Sequence, residues 1–377
     1  MCSCWAGWGC PADSCPRQSD AGCRSRRDQE QHEHPIGQMP STVVIQDDEM
    51  ETAARSQTPP GMAAMLPPAA AQKRRAEDLI LSVLQKWGFQ EVVPPAFEYL
   101  DVLSRGLGDD LIEKGYKVLD RWNGRDLILR PDVTPQIARM VAMGMFADVR
   151  PLRLCYSAPV YRYDPDHAGR NREIFQIGAE LIGPESATAD AEMIAVAMAC
   201  LRELGLERFT VTIGQGEFFN TLLSKALISD TTKWQLRCAA AKKNLTRLQE
   251  ILSGAKVEEA LTEIILAVPN LFGHEHVIDE AASLAGHWDD SLAALDWIRE
   301  VHGLLAKEGH GEHVLVDLGE IRAFDYYTGL VFNIFIEGSG WELGGGGRYD
   351  HLVGCFGSEC PSTGFAFDLG RLFRLLG

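Results

Sequence analysis

Two runs of β-forming residues, 152–163 and 173–182, stand either side of a polar stretch containing Gly169, and this pair restricts the fold more than any other feature. Val, Ile, Tyr and Phe suit a pleated, half-buried surface, and a short glycine-bearing connection between two such runs makes an antiparallel hairpin. Around the hairpin the periodicity is largely helical. Ala76, Leu79, Ile80, Val83, Leu84 and Trp87 recur at helical spacing, predicting one apolar stripe that Gly88 ends. The run Gln90-Glu91-Val92-Val93-Pro94-Pro95 is extended and stopped by its prolines. Short strands are expected at 117–119 and 126–130, a helix at 135–145, a longer helix at 189–204 and a strand at 209–213. Residues from about 215 to 310 read as an inserted helical module. Strands return at 314–317 and 330–336, before a glycine-rich loop and a closing helix over 367–376. Hairpins interleaved with helices define an α+β fold, an antiparallel sheet flanked by helices with a helical insertion.

Residues 1–60 have no such periodicity and end in Pro59-Pro60-Gly61, so they read as a disordered extension without function. Five of the ten cysteines (Cys2, Cys4, Cys10, Cys15, Cys23) crowd this extension without a C-x-x-C pair. Met39, Met50, Met62 and Met65 offer later translation starts. The core is residues 61–377, whose scattered cysteines suit a reducing, cytoplasmic setting. No run approaches the roughly 18 apolar residues of a membrane span. A net charge of -17 repels polyanions and disfavours broad nucleic-acid binding. His274/His276 and His310/His313 lack a third credible ligand, so neither a metal nor a cofactor is expected.

Four stretches carry chemistry. In Leu129-Arg130-Pro131-Asp132-Val133-Thr134 a proline turn presents a carboxylate and a hydroxyl together, suited to an ammonium group and equally to capping the next helix. In the hairpin, even spacing along strands lets Arg162, Gln176 and Glu180 point at a common face. The planar fork of Arg162 suits a carboxylate or phosphate, or simply a neighbouring acid. Gly319-Glu320-Ile321-Arg322-Ala323-Phe324-Asp325-Tyr326-Tyr327-Thr328-Gly329 offers donors to an anion and to a polar ring, although paired tyrosines also serve as plain core. Glu342-Leu343-Gly344-Gly345-Gly346-Gly347-Arg348-Tyr349-Asp350 and the stretch from Gly364 to Leu372 form the last; glycines let backbone approach a ligand closely, and equally make tight loops.

Taken in order, these stretches resemble the histidyl-tRNA synthetase family over roughly residues 60–377. The first is similar to that family's Arg-Pro-Glu-Gly-Thr element, with Asp132 for Glu and Val133 for Gly. Arg162 stands at the motif 2 arginine, and Gly169-Arg170 and Gln176 to Glu180 match the family's next segment. Residues 322–327 resemble the Arg-Gly-Leu-Asp-Tyr-Tyr signature, and the glycine run with Gly364 to Arg371 resembles motif 3. The resemblance implies a six-stranded antiparallel sheet, a homodimer joined through the first helix and strand, and a histidine pocket. By matching position, Asp132 and Thr134 hold the α-amino group, Glu180 and Tyr327 read the imidazole beside Tyr326, and Arg322 and Gln176 meet the carboxylate. Arg162, Arg170 and Arg371 are the implied phosphate or anion contacts.

A synthetase of this family continues into an anticodon-binding domain, whereas only residues 372–377 come after Arg371, so tRNA is not expected as a partner. The departures at 132 and 133, and Gly370 in place of an acidic residue, point the same way. Such a form is similar to the regulatory subunits of ATP phosphoribosyltransferase, which accompany a short-form catalytic subunit in the first step of L-histidine biosynthesis. The resemblance thus implies a non-catalytic, cytoplasmic member of a hetero-oligomer with L-histidine as effector. A histidyl-adenylate-forming enzyme or a split synthetase core is the alternative, because Arg162, Arg322 and Arg371 are all retained.

Overall fold

The computed structural model describes residues 58–146, 150–163, 171–286, 288–321 and 326–376. The cysteine-bearing segment through residue 57, Arg170 and Arg322 therefore lie outside the described residues. Twelve strands occur among the described residues: β1 (Gln90–Glu91), β2 (Phe97–Tyr99), β3 (Lys117–Leu119), β4 (Asp126–Leu129), β5 (Leu152–Tyr161), β6 (Glu173–Ile182), β7 (Phe209–Gln215), β8 (Phe272–Gly273), β9 (Val314–Asp317), β10 (Leu330–Ile336), β11 (Glu342–Arg348) and β12 (Ser362–Asp368). Nine form one sheet in the order β1-β5-β6-β12-β11-β10-β7-β9-β8, and β2-β4-β3 form a small second sheet.

The six strands from β5 to β7 in that order are antiparallel throughout. The full sheet is mixed, because β1 runs parallel to β5 and β9 parallel to β7. Both parallel pairs are joined by long connections, which a parallel pairing needs and a hairpin turn cannot supply. Among the described residues, six α-helices lie between β7 and β9: Gly216–Lys225, Asp230–Ala241, Leu245–Ala255, Glu259–Ala267, His276–Leu284 and Asp289–Lys307. The two-residue β8 interrupts them and pairs with β9, so this stretch is not wholly helical.

Alternation divides the hairpin between two cores. Cys155, Ile177, Ala179 and Leu181 face a large cluster built with the helices Ala69–Lys86 and Ala187–Glu203. Leu154, Tyr156, Ala158 and Val160 face a smaller one that includes Val133, Ile137 and Tyr349. Gln176 and Glu180, spaced evenly with each other and oddly with Ile177 and Ala179, therefore belong to the second face. In the first helix, Ala76, Ile80, Val83 and Leu84 are buried, but Leu79 and Trp87 are each 39% exposed, so the buried stripe is narrower than the spacing suggested.

The glycine run is a strand, not a loop. A Cβ at Gly346 would overlap the carbonyl oxygen of Gly364 on β12, so the two backbones approach as only glycine permits. Correspondingly, Phe367 and Asp368 end β12, and the last α-helix is only Leu369–Leu372, followed by a 3-10 turn at Phe373–Leu375. Asp368 sets that start: its Oδ1 accepts the Arg371 backbone N–H at 3.1 Å, and a residue that caps a helix lies outside it.

Candidate functional site

On the second face of the sheet, β6, β11, β12 and the start of the helix Thr134–Ala142 enclose a cavity of about 200 Å³. Pro135 in the first turn presets the helical backbone there. Asp132 and Thr134 do not cap this helix: the N-cap is Val133, with no side-chain capping bond. Instead both side chains turn into the cavity wall. Asp132 Oδ1 accepts the Val133 N–H at 3.0 Å, and its Oδ2 accepts the Tyr326 hydroxyl at 2.9 Å.

Glu180 is 1% exposed and forms the polar centre of the cavity. Its Oε1 accepts the Thr134 hydroxyl at 2.6 Å, and its Oε2 accepts the hydroxyl of Tyr349. Burial pushes its carboxyl up to about 8, against the pull of these two donors, and the nearby Asp132 carboxylate adds to the rise. Glu180 is therefore largely neutral at pH 7 and can release a proton when a cationic group arrives. Burial first, then the Asp132 charge, holds the Tyr326 hydroxyl well above its ordinary range, so it remains a donor. Burial and Glu180 do the same for Tyr349.

Arg162 meets both readings of its sequence context. Its Nε donates to the Pro131 carbonyl at 2.6 Å and Nη2 lies 3.4 Å from Asp132 Oδ1, yet the side chain also lines the cavity. Gln176 lies between the same pair; with its amide turned so that nitrogen and oxygen exchange places, the nitrogen donates to Asp132 Oδ1 and the oxygen accepts from Arg162 Nη2, each at 3.3 Å. The Tyr326 and Tyr327 rings lie 4.9 Å apart, with Tyr349 edge-on to Tyr326 at 5.7 Å.

Of the residues singled out from sequence, Asp132, Thr134, Arg162, Gln176, Glu180, Tyr326 and Tyr327 line this one cavity. Arg371 does not line it; its guanidinium donates to the Glu342 carbonyl at 2.6 Å and pairs with Asp368 at 3.1 Å. Arg170 and Arg322 lie outside the described residues. Sequence reasoning missed Tyr349, Asn333 and Glu342 as lining residues. Tyr349 carried a signal, since it comes directly after the glycine run and Arg348, but its bond to Glu180 spans 169 residues and no local pattern shows it. Three acidic residues, Asp132, Glu180 and Glu342, line the cavity beside tilted and edge-on phenols, and this set can hold an ammonium group and a hydrogen-bonding ring. Among the described residues no group of His, Cys, Asp and Glu is arranged to hold a metal ion, and no helix is long and apolar enough to cross a membrane.

The histidyl-tRNA synthetase family profile matches residues 61–372. An ATP phosphoribosyltransferase regulatory subunit from Syntrophotalea carbinolica is 40% identical over 325 residues, spanning 86% of this chain and 76% of that protein. One from Geobacter sulfurreducens is 38% identical over 325 residues, 86% of this chain and 74% of that protein. The crystal structure of an ATP phosphoribosyltransferase regulatory subunit/histidyl-tRNA synthetase from Bacillus halodurans C superposes with a TM-score of 0.78 at 31% identity, covering 85% of this chain and 83% of that one. On the strength of these matches the chain belongs to the ATP phosphoribosyltransferase regulatory subunit family, built on the histidyl-tRNA synthetase domain.

Proposed function

We propose that this chain is the non-catalytic regulatory subunit of an ATP phosphoribosyltransferase, and that L-histidine in the cavity around Glu180 is the signal it passes to a short-form catalytic partner. The observation that carries this reading is the pair of joined hydrogen-bond sets, Thr134–Glu180–Tyr349 and Asp132–Gln176–Arg162, in one small polar cavity. Histidine presents an ammonium group to Asp132 and Thr134, an imidazole to Glu180 and Tyr327, and a carboxylate to Gln176 and Arg322. Feedback is then a matter of linkage: histidine favours the assembly state that binds it more tightly, and a coupling of about 1–3 kcal/mol suffices.

The chain pairs with itself through its first helix and β1, one of the two edge strands of the large sheet among the described residues. It works in the cytoplasm and leaves tRNA alone, in keeping with its net charge of -17. A histidyl-adenylate-forming activity is the rival. Against it, Arg162 and Arg371, the two described arginines that would meet a nucleotide, are already held by Asp132 and Asp368 and by carbonyl oxygens. The deciding experiment mixes the full chain with a short-form catalytic subunit, assays phosphoribosyl transfer with and without histidine, and titrates histidine calorimetrically into wild type and Asp132→Asn. Histidine-dependent transfer, with binding weakened in the variant, supports the proposal. Failure to alter the partner's activity, or histidine- and ATP-dependent pyrophosphate exchange by the chain alone, overturns it.

A further inference from the structure

Tyr156, within β5, is 0% exposed, and its hydroxyl has no hydrogen-bond partner among the described residues. The sheet register sets where that hydroxyl lies. Tyr156 pairs with Gly178 on β6, and Gly178 pairs with Ala366 on β12, which lines the cavity around Glu180. Gly178 presents no side chain, so the phenol lies across it. A Cβ there would come within 2.8 Å of the Tyr156 hydroxyl oxygen and 2.9 Å of the ring carbon that bears it. On the same face of β6, Gly178 stands between Gln176 and Glu180, both of which line the cavity. The phenol thus fills the notch between those two residues without itself lining the cavity.

A buried hydroxyl left open is costly, so this one needs a partner in some state of the protein. The groups around it are known. Burial, then the charges of Glu180 and Asp132, hold the Tyr156 hydroxyl well above its ordinary range, against the Thr134 hydroxyl, while Tyr327 adds to the rise. Tyr349 also lies close enough to feel it. Asp132 is already joined to Tyr326 and Arg162, and Tyr349 to Glu180. Thr134 is different: its hydroxyl donates to Glu180 Oε1 at 2.6 Å, and its oxygen keeps lone pairs for a further donor.

We infer that Tyr156 is a positioning residue for Glu180, closing a hydroxyl chain Tyr156–Thr134–Glu180 whose hydrogen bonds reverse direction as Glu180 loses its proton. With Glu180 neutral, its carboxyl proton is donated to Thr134 Oγ1 and the Thr134 hydroxyl donates to Tyr156. With Glu180 ionised, Tyr156 donates to Thr134 and Thr134 to the carboxylate, the one lost proton passing to a ligand's ring nitrogen or to water. Bonds to an ionised acceptor are the stronger, so loss of the phenol hydroxyl weighs most on the ionised state. Tyr156→Phe keeps the ring and removes only that group. In urea unfolding of the ligand-free full chain, the variant loses more stability relative to wild type at about pH 9 than at about pH 5, since Glu180 titrates between them. Histidine titrated calorimetrically near neutral pH binds the variant about ten-fold more weakly, the effect of one hydrogen bond to a charged group. Made in Glu180→Gln, the same substitution brings no further loss. An equal loss of stability at both pH values, a gain at either, or a loss of affinity as large in Glu180→Gln as in wild type overturns the inference. Only the binding arm rests on the histidine reading of the cavity: if wild type binds no histidine, that reading fails, and unfolding alone decides the role of Tyr156.

Discussion

Two carboxyls are buried against the same sheet system and are treated in opposite ways. Asp190, 0% exposed, lies against a guanidinium: Arg348 Nε and Nη2 each come within 3.0 Å, and the Trp297 indole N–H donates at 2.9 Å. Glu180, 1% exposed, receives two hydroxyls and, among the described residues, no ion-pair partner. The Asp190 node ties the helix Ala187–Glu203 to the end of β11 and to the helix Asp289–Lys307, and both its charges are used up in the framework. Glu180 keeps the capacity to change its charge. A buried carboxyl with its own cation is a structural joint, whereas one held only by phenol and alcohol hydroxyls is poised for a cationic or ring-nitrogen ligand.

The contrast is most easily broken at Arg348. Arg348→Met leaves Asp190 buried without its cation, and a loss of about 3–5 kcal/mol is expected in urea unfolding. A variant as stable as wild type would show that the node is not a joint at all. Gly364→Ala tests the other carboxyl, because a Cβ there collides with Glu180 Oε2. Overpacking costs about 1–3 kcal/mol, and histidine binding by calorimetry should fall much further than in a control at the exposed Gly340.

Glu180→Gln sharpens the comparison through pH. Because the folded carboxyl titrates near 8 rather than at its ordinary 4.5, the folded protein holds a proton that the unfolded chain has released across that interval. Stability from this group is therefore complete below pH 4.5 and lost as pH rises towards 8. Chemical denaturation across this window should show that decline in wild type and a flatter profile in Glu180→Gln, whose histidine affinity drops about ten-fold, or 1.4 kcal/mol. The smallest effect is expected at Ser186, whose hydroxyl caps the helix Ala187–Glu203 by accepting the Ala189 N–H. Ser186→Ala should cost about 1 kcal/mol in thermal or urea unfolding and leave histidine binding intact. A change in binding would mean that the two regions are coupled.

Much of the architecture was legible in the residues. The hairpin of β5 and β6 arises from its β-forming runs, and its alternation correctly placed Arg162, Gln176 and Glu180 on one cavity. The apolar spacing of residues 76–84 identified the first helix, since a 3.6-residue period leaves few other ways to bury those side chains. Legibility failed where local signals were ambiguous. Four consecutive glycines read as a loop because glycine favours no element; only the tight pairing of β11 with β12 makes them a strand. Leu79 and Trp87 have the chemistry of core residues, but only the docking angle of their helix decides which apolar positions stay exposed.

The chain's own order of residues determined its periodicities, its turns, its acidic balance and the kinds of groups available for a site, because these depend on neighbours within a few positions. The tertiary structure alone decided that Tyr349 meets Glu180 across 169 residues, that Arg348 meets Asp190 across 158, and that Asp132 and Thr134 serve a cavity and not a helix end. The physical reason is register: sheet pairing sets which distant side chains share a face, and burial among them, not residue type, turns one carboxyl into a joint and leaves another free to titrate.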